Sequence, residues 1–155
     1  MRPIDNPYNT KRLESIPFIF QEGWNWNRML KTLENKNYLG VIIGNHGTGK
    51  TTLLLELKKR ALRSEREIIF IDEFGALSFL QKIKILLRAI FYRKNLLLTA
   101  HKPIVFIPTI YNCKTTHEII QGIATYLEQD EVCQCRQENV RDFLLEKYDK
   151  YAKVA

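Results

Sequence analysis

The stretch Gly44-Asn45-His46-Gly47-Thr48-Gly49-Lys50-Thr51 constrains this chain more than any other. An apolar run, Tyr38-Leu39-Gly40-Val41-Ile42-Ile43, leads into it and reads as a buried strand, and the good helix former Thr51-Thr52-Leu53-Leu54-Leu55-Glu56-Leu57-Lys58-Lys59 follows. Strand, glycine loop and helix in that order aim successive backbone N–H groups and the positive helix end at one anion. Glycine is needed because a side chain would block the tight loop and the close approach of the ligand. The spacing G-x-x-x-x-G-K-[ST] therefore marks the whole stretch, with Thr52 after it, as a cradle for nucleotide phosphates. Lys50 is placed to reach the β- and γ-phosphates as a point charge, and Thr51 to offer a hydroxyl to Mg²⁺. An ordinary glycine-rich strand-to-helix turn is the alternative.

A second signal lies downstream in Glu67-Ile68-Ile69-Phe70-Ile71-Asp72-Glu73. A strand buried on both faces reads as continuous apolar sequence, and ligands of open α/β sheets bind beyond the C-terminal strand ends. Asp72 there is a candidate for holding the metal, and Glu73 for polarising an attacking water. A third apolar run, Asn95-Leu96-Leu97-Leu98-Thr99-Ala100-His101, again ends in polar residues. The two-residue period puts Thr99 and His101 on one side, from which both can sense a terminal phosphate or water. A polar strand end with a merely structural histidine fits the same residues.

Between these strands, Ser78-Phe79-Leu80-Gln81 has capping-box spacing and predicts a helix that buries Ile83, Leu86, Leu87, Ile90 and Phe91. Lys82, Lys84, Arg88, Arg93 and Lys94 give it a basic side without an acid. With a formal charge of +7 over 155 residues, an anionic partner is expected. Nucleotide supplies one anion, and a nucleic-acid track along this helix is a second; a solvated basic face accounts for the charge equally well.

The remaining chain completes a single domain over 1–155. Residues 1–15 read as an extended lead-in, and Ile16-Pro17-Phe18-Ile19-Phe20 as an edge strand, where the missing donor of Pro17 is tolerated. Trp26, Met29, Leu30 and Leu33 share a helix face, and Trp24 or Trp26 is a candidate for stacking on a base as well as for the core. Ile104-Val105-Phe106-Ile107 reads as a fourth strand stopped by Pro108; helices follow from Thr115 to about Gln129 and from Gln137 to about Lys150. Cys113, Cys133 and Cys135 have no framework spacing, which fits reduced thiols in a cytoplasmic protein; a zinc set with His117 is an unstandard alternative. No leader and no membrane-length apolar run is visible in the sequence.

Taken in order, the glycine loop, Ile71-Asp72-Glu73, Thr99-Ala100-His101-Lys102-Pro103 and Ile107-Pro108-Thr109 resemble the additional-strand branch of the P-loop NTPases, which includes ABC and AAA+ ATPases. The resemblance implies a three-layer α/β fold with a short, mostly parallel sheet in the spatial order Ile104-Ile107, Tyr38-Ile43, Leu96-Ala100, Ile68-Asp72. It also implies Mg-dependent ATP hydrolysis, with Asp72 as the Walker B aspartate, Glu73 as the catalytic base and His101 as the switch histidine. Asn139-Val140-Arg141-Asp142 is similar to the start of an AAA+ sensor-2 helix, which would aim Arg141 at the γ-phosphate from a partial lid over 115–155. The segment between Lys50 and Asp72 is too short for the helical subdomain of an ABC transporter ATPase, and no [NT]KxD guanine motif occurs. Two other functions stay open: a small-molecule kinase, and a nucleotide-gated module that binds a protein partner with little turnover.

Overall fold

The computed structural model describes residues 16–61, 67–91, 95–126 and 140–154. It is a mixed α/β fold built on a four-stranded, all-parallel sheet. Helix α1 (Trp26–Asn35) precedes β1 (Leu39–Gly44), and α2 (Lys50–Ala61) crosses to β2 (Ile68–Ile71). After a single 3-10 turn at Phe74–Ala76, α3 (Phe79–Phe91) leads to β3 (Asn95–Ala100), then come β4 (Thr109–Cys113), α4 (His117–Tyr126) and α5 (Val140–Val154). The strand order is β2-β3-β1-β4. Parallel neighbours need a crossover between them, and parallel pairing gathers every C-terminal strand end on one edge.

Side chains alternate across the strands and so define two cores. Ile42 and Leu97 join Leu53, Leu54 and Leu57 of α2 and Met29 and Leu33 of α1 on one face. On the other face Val41, Ile43, Leu96 and Leu98 meet Ala89 of α3, with Ile85 and Leu86 half-buried beside them. Each fully buried leucine contributes roughly 1.5–3 kcal/mol, so the three of α2 suffice to fix that helix on the sheet. Gly40 lets β4 approach β1: a Cβ there would lie 2.3 Å from Ile110 Cγ2. A third cluster joins Ile119, Ile120 and Ile123 of α4 to Phe143 of α5 and to Ile16.

The structure departs from the sequence reading at four places. The fourth strand is Thr109–Cys113, not Ile104-Ile107. Residues 104–107 instead form a turn closed by Ile107 N–H donating to Ile104 O at 3.2 Å, with Phe106 at φ 68°. Prolines on both sides withhold donors, and only Ile104 and Ile107 point inward, while Val105 and Phe106 face water. The stretch 16–20 is extended but is no strand. Its Phe18 N–H donates to Glu56 Oε1 at 2.6 Å, and the Gln21 side chain donates to the carbonyls of Asn112 (2.8 Å) and Lys114 (3.3 Å), so side chains cover the β4 edge.

Helix α3 starts as expected, with Ser78 N–H donating to Gln81 Oε1 (3.0 Å) and Gln81 N–H to Ser78 Oγ (3.4 Å). Its burial is different. Phe79, Leu80, Ile83, Leu87 and Phe91 are exposed, because the face toward the sheet is Ile85, Leu86 and Ala89. Finally, α4 begins at His117, with Thr116 Oγ1 accepting from Ile119 N–H at 3.4 Å; the expected helix start at Gln137 lies outside the described residues. The expected turn at 64–66, Arg93, Lys94, Cys133 and Cys135 lie outside the described residues. No described helix is long and apolar enough to cross a membrane.

Candidate functional site

At the C-terminal edge of the sheet, β1 runs into the Gly44–Lys50 loop and β2 into Asp72-Glu73. The loop turns through positive φ at Gly44 (155°), Gly47 (72°) and Gly49 (86°). A Cβ on Gly44 would lie 2.5 Å from Cys113 O and 2.7 Å from Thr48 Oγ1, so this glycine is required by space as well as by angle. Thr48 Oγ1 and Lys50 Nζ both donate to Asn45 O, at 2.9 and 2.7 Å, which folds the loop over its own lysine. Lys50 is 7% exposed, and among the described residues no carboxylate pairs with it. A buried ammonium with one carbonyl acceptor is costly unless an anion joins it.

The parallel register sets the rest. Ile71 lies opposite Leu98, which brings Thr99 beside Asp72. Thr99 is wholly buried; its hydroxyl donates to Asp72 Oδ1 and accepts from Glu73 N–H at 2.7 Å. Thr99 thus holds the Asp72-Glu73 corner rather than facing a ligand. Asp72 Oδ2 in turn accepts from Thr51 Oγ1 at 2.8 Å, so the two oxygens expected at a metal already meet. Glu73 stands at φ 49°, ψ 46°, a left-handed conformation that costs about 1 kcal/mol or more without glycine.

His101 Nδ1 lies 3.2 Å from Gly44 O. A carbonyl only accepts, so Nδ1 carries the proton and Nε2 is left to face outward as an acceptor when the ring is neutral. The ring stands 4.0 Å from that of His46, and His46, Glu73 and His101 offer ligand atoms all within 4.8 Å of one another. The sequence marks His46 only as part of the phosphate cradle; its place in the glycine loop and the histidine at the β3 tip are the signals that point to both residues. Two imidazoles and a carboxylate in that arrangement can hold a divalent transition metal or hydrogen-bond a phosphate or water.

Behind the loop, Cys113 at the end of β4 is buried, and desolvation pushes its thiol up to about 12 against the lowering effect of Lys50. It is a packing group, not a nucleophile. A cavity next to Thr48, Gly49 and Thr52 is lined by Phe18, Ile19, Ile119, Val140 and Leu144. Neither tryptophan reaches it. Trp24 stacks edge-on to Tyr111 at 4.9 Å beneath the Arg28 guanidinium, and Trp26 does so to Phe20 at 4.9 Å beneath Arg60. Arg141 is exposed near the start of α5, and among the described residues no hydrogen bond or ion pair joins it to the loop. Lys82 donates to Gly75 O at 2.9 Å, leaving Lys84 and Arg88 as the exposed cations of α3.

No protein-family model matches the chain, and no curated protein or solved structure matches it.

Proposed function

We propose that the chain is a P-loop NTPase of the additional-strand type that binds ATP with Mg²⁺ and hydrolyses its β–γ phosphoanhydride. The observation that carries this reading is Lys50, an ammonium buried inside a glycine loop with no counter-charge among the described residues. A triphosphate would complete it, and the loop N–H groups with the α2 N-terminus would share the remaining charge. Thr51 and Asp72 would hold Mg²⁺, since the ion takes hard oxygen ligands and theirs lie side by side. When bound, Mg²⁺ would neutralise charge on the phosphates. Glu73 would accept a hydrogen bond from water and orient it toward the γ-phosphorus. A bond from that water oxygen to phosphorus replaces the bond to the β–γ bridging oxygen, releasing ADP and phosphate. His101, with His46 against it, would accept a hydrogen bond from the attacking water through its outward Nε2. The apolar cavity beside Thr52 has the character that a purine base requires, and no guanine motif accompanies it.

Isothermal calorimetry with MgATP tests the reading: wild type should bind, and Lys50→Ala should not. Equal affinity in both would dismiss it.

A second reading gives hydrolysis a smaller part and makes the nucleotide a switch for a protein partner. It is favoured by the exposed apolar residues of α3, a helix that starts only a few residues after Glu73.

A further inference from the structure

Helix α3 carries Phe79, Ile83, Leu87 and Phe91 at four-residue intervals, and all four face water. Phe79 and Phe91 are 75% and 78% exposed, and Ile83 and Leu87 between them 38% and 47%. Residues spaced by four form one ridge along a helix surface. The neighbouring ridge is Leu80, Lys84 and Arg88, with Leu80 78% exposed. The inward side of the same helix is already satisfied by Ile85, Leu86 and Ala89 against the sheet. Val105 and Phe106 are a further exposed apolar pair, 74% and 98% exposed, on a turn whose Ile104 and Ile107 pack in that same cluster. Single exposed leucines are ordinary; a continuous ridge of large apolar side chains is the mark of an interaction surface.

We infer that this ridge is the docking site for an amphipathic helix with acidic flanks on a partner protein, an inference that deepens the second reading above. The shape argues for a helix, because ridges of four-residue spacing seat in the grooves between such ridges on another helix. The charge argues for acid. No carboxylate pairs with Lys84 or Arg88 among the described residues, and α3 itself contains no acid, so glutamates flanking an apolar stripe would find two cations along its border. A second copy of this chain is a poor occupant, since α3 against α3 would set Lys84 and Arg88 of both copies near one another. Nucleic acid fits no better: among the described residues only Lys84 and Arg88 border the ridge as exposed cations, and a phosphate backbone would leave the apolar ridge wet. The site is also linked to the nucleotide loop's far wall. Lys82 holds Gly75 O at 2.9 Å and lies over the ring of buried Phe74, the residue after Glu73. A partner pressed on α3 therefore bears on the segment that sets Glu73.

The probe is a fluorescein-labelled amphipathic helical peptide of about 14 residues, close to the length of α3. It carries Leu at four-residue spacing with Glu on the flanks, and its twin carries Lys in place of Glu. Fluorescence anisotropy on the full chain should show the Glu peptide binding at least tenfold more tightly than the Lys peptide, with added salt narrowing the gap. The double variant Lys84→Glu, Arg88→Glu should reverse the preference. Leu87→Ser, and separately Phe79→Ser, should weaken the Glu peptide about tenfold without changing the thermal melt, since both side chains face solvent. Equal binding of the two peptides, no binding of either, or an unreversed preference would overturn the proposal. So would sedimentation with phosphatidylserine vesicles, or a dimer dissolved by Leu87→Ser, in a chain that ignores the peptides. MgATP calorimetry on the same samples separates failure here from failure of the nucleotide reading.

Discussion

Thr99 donates its hydroxyl to the Asp72 carboxylate from a wholly buried position at the tip of β3, and the same oxygen accepts the Glu73 N–H at 2.7 Å. One side chain on the middle of the sheet therefore fixes two residues on the corner after β2. Thr99→Val keeps the shape and removes the hydroxyl, leaving the Glu73 N–H and Asp72 Oδ1 each without this partner. The expected loss is about 1–3 kcal/mol of stability by urea unfolding. In the nucleotide reading, turnover should fall further than ATP affinity, because Glu73 is displaced while Lys50 is not. An unaltered rate with the same fold would remove Thr99 from the positioning of Glu73.

In the nucleotide reading, Lys50 sets function against stability. Replacing it with methionine removes a buried charge while filling a similar volume. The Lys50→Met protein should unfold about 1 kcal/mol later than wild type in the absence of nucleotide. With MgATP present the order should reverse, since only wild type gains from ligand linkage. A destabilised Lys50→Met chain without nucleotide would mean that the ammonium already has its full complement of partners.

Gly40 and Ile110 form a packing test independent of any ligand. Gly40→Ala would press a methyl group to 2.3 Å from Ile110 Cγ2, so β1 and β4 must part or the isoleucine must move. The expected cost is about 1–3 kcal/mol. Adding Ile110→Ala, which removes the clashing Cγ2, should recover part of that loss, a sign of direct coupling that a double-mutant cycle in urea would detect.

The Cys113 thiol offers a test by pH. Its folded value is raised from 9.0 to about 12, chiefly by burial, so between these values the unfolded chain gives up a proton that the folded chain keeps. Stability from this group is present below pH 9 and is lost as pH rises toward 12. At pH 8 iodoacetamide should leave the peptide containing Cys113 unmodified in the folded protein and label it in urea, as read by mass spectrometry. The slope of stability above pH 9 should be shallower in Cys113→Ala than in wild type. Rapid labelling of Cys113 in the folded protein at pH 8 would contradict its buried placement.

Much of the sheet is legible in the sequence because strands buried on both faces are continuous apolar runs, as in Val41-Ile42-Ile43 and Leu96-Leu97-Leu98. The same rule misreads Ile104-Val105-Phe106-Ile107, where four apolar residues close a turn and only two face inward. Periodicity located α3 and its cap but not which side meets the sheet, since Ile85, Leu86 and Ala89 recur at helical spacing just as Phe79, Ile83 and Leu87 do. Within the candidate site, the Gly44–Thr51 spacing is a local signal and Asp72 follows a run. The partnership of Thr99 with Asp72, and of His46 with His101, depends on strand register, which no local pattern fixes.

The backbone and the carboxylate of Glu73 can be tested apart. At φ 49° the residue sits where glycine is at ease and other side chains are strained. Glu73→Gly should therefore be more stable than Glu73→Ala by about 1 kcal/mol, although both lack the carboxylate. Glu73→Gln keeps the strain and the shape, so it should bind MgATP as wild type does and release phosphate at a small fraction of its rate. The stability ranking comes from urea titrations of the three variants, and the catalytic one from phosphate release with no acceptor added. If Glu73→Gln hydrolyses ATP at the wild-type rate, the carboxylate is not what positions the water, and only the backbone of residue 73 matters to the corner that Thr99 holds.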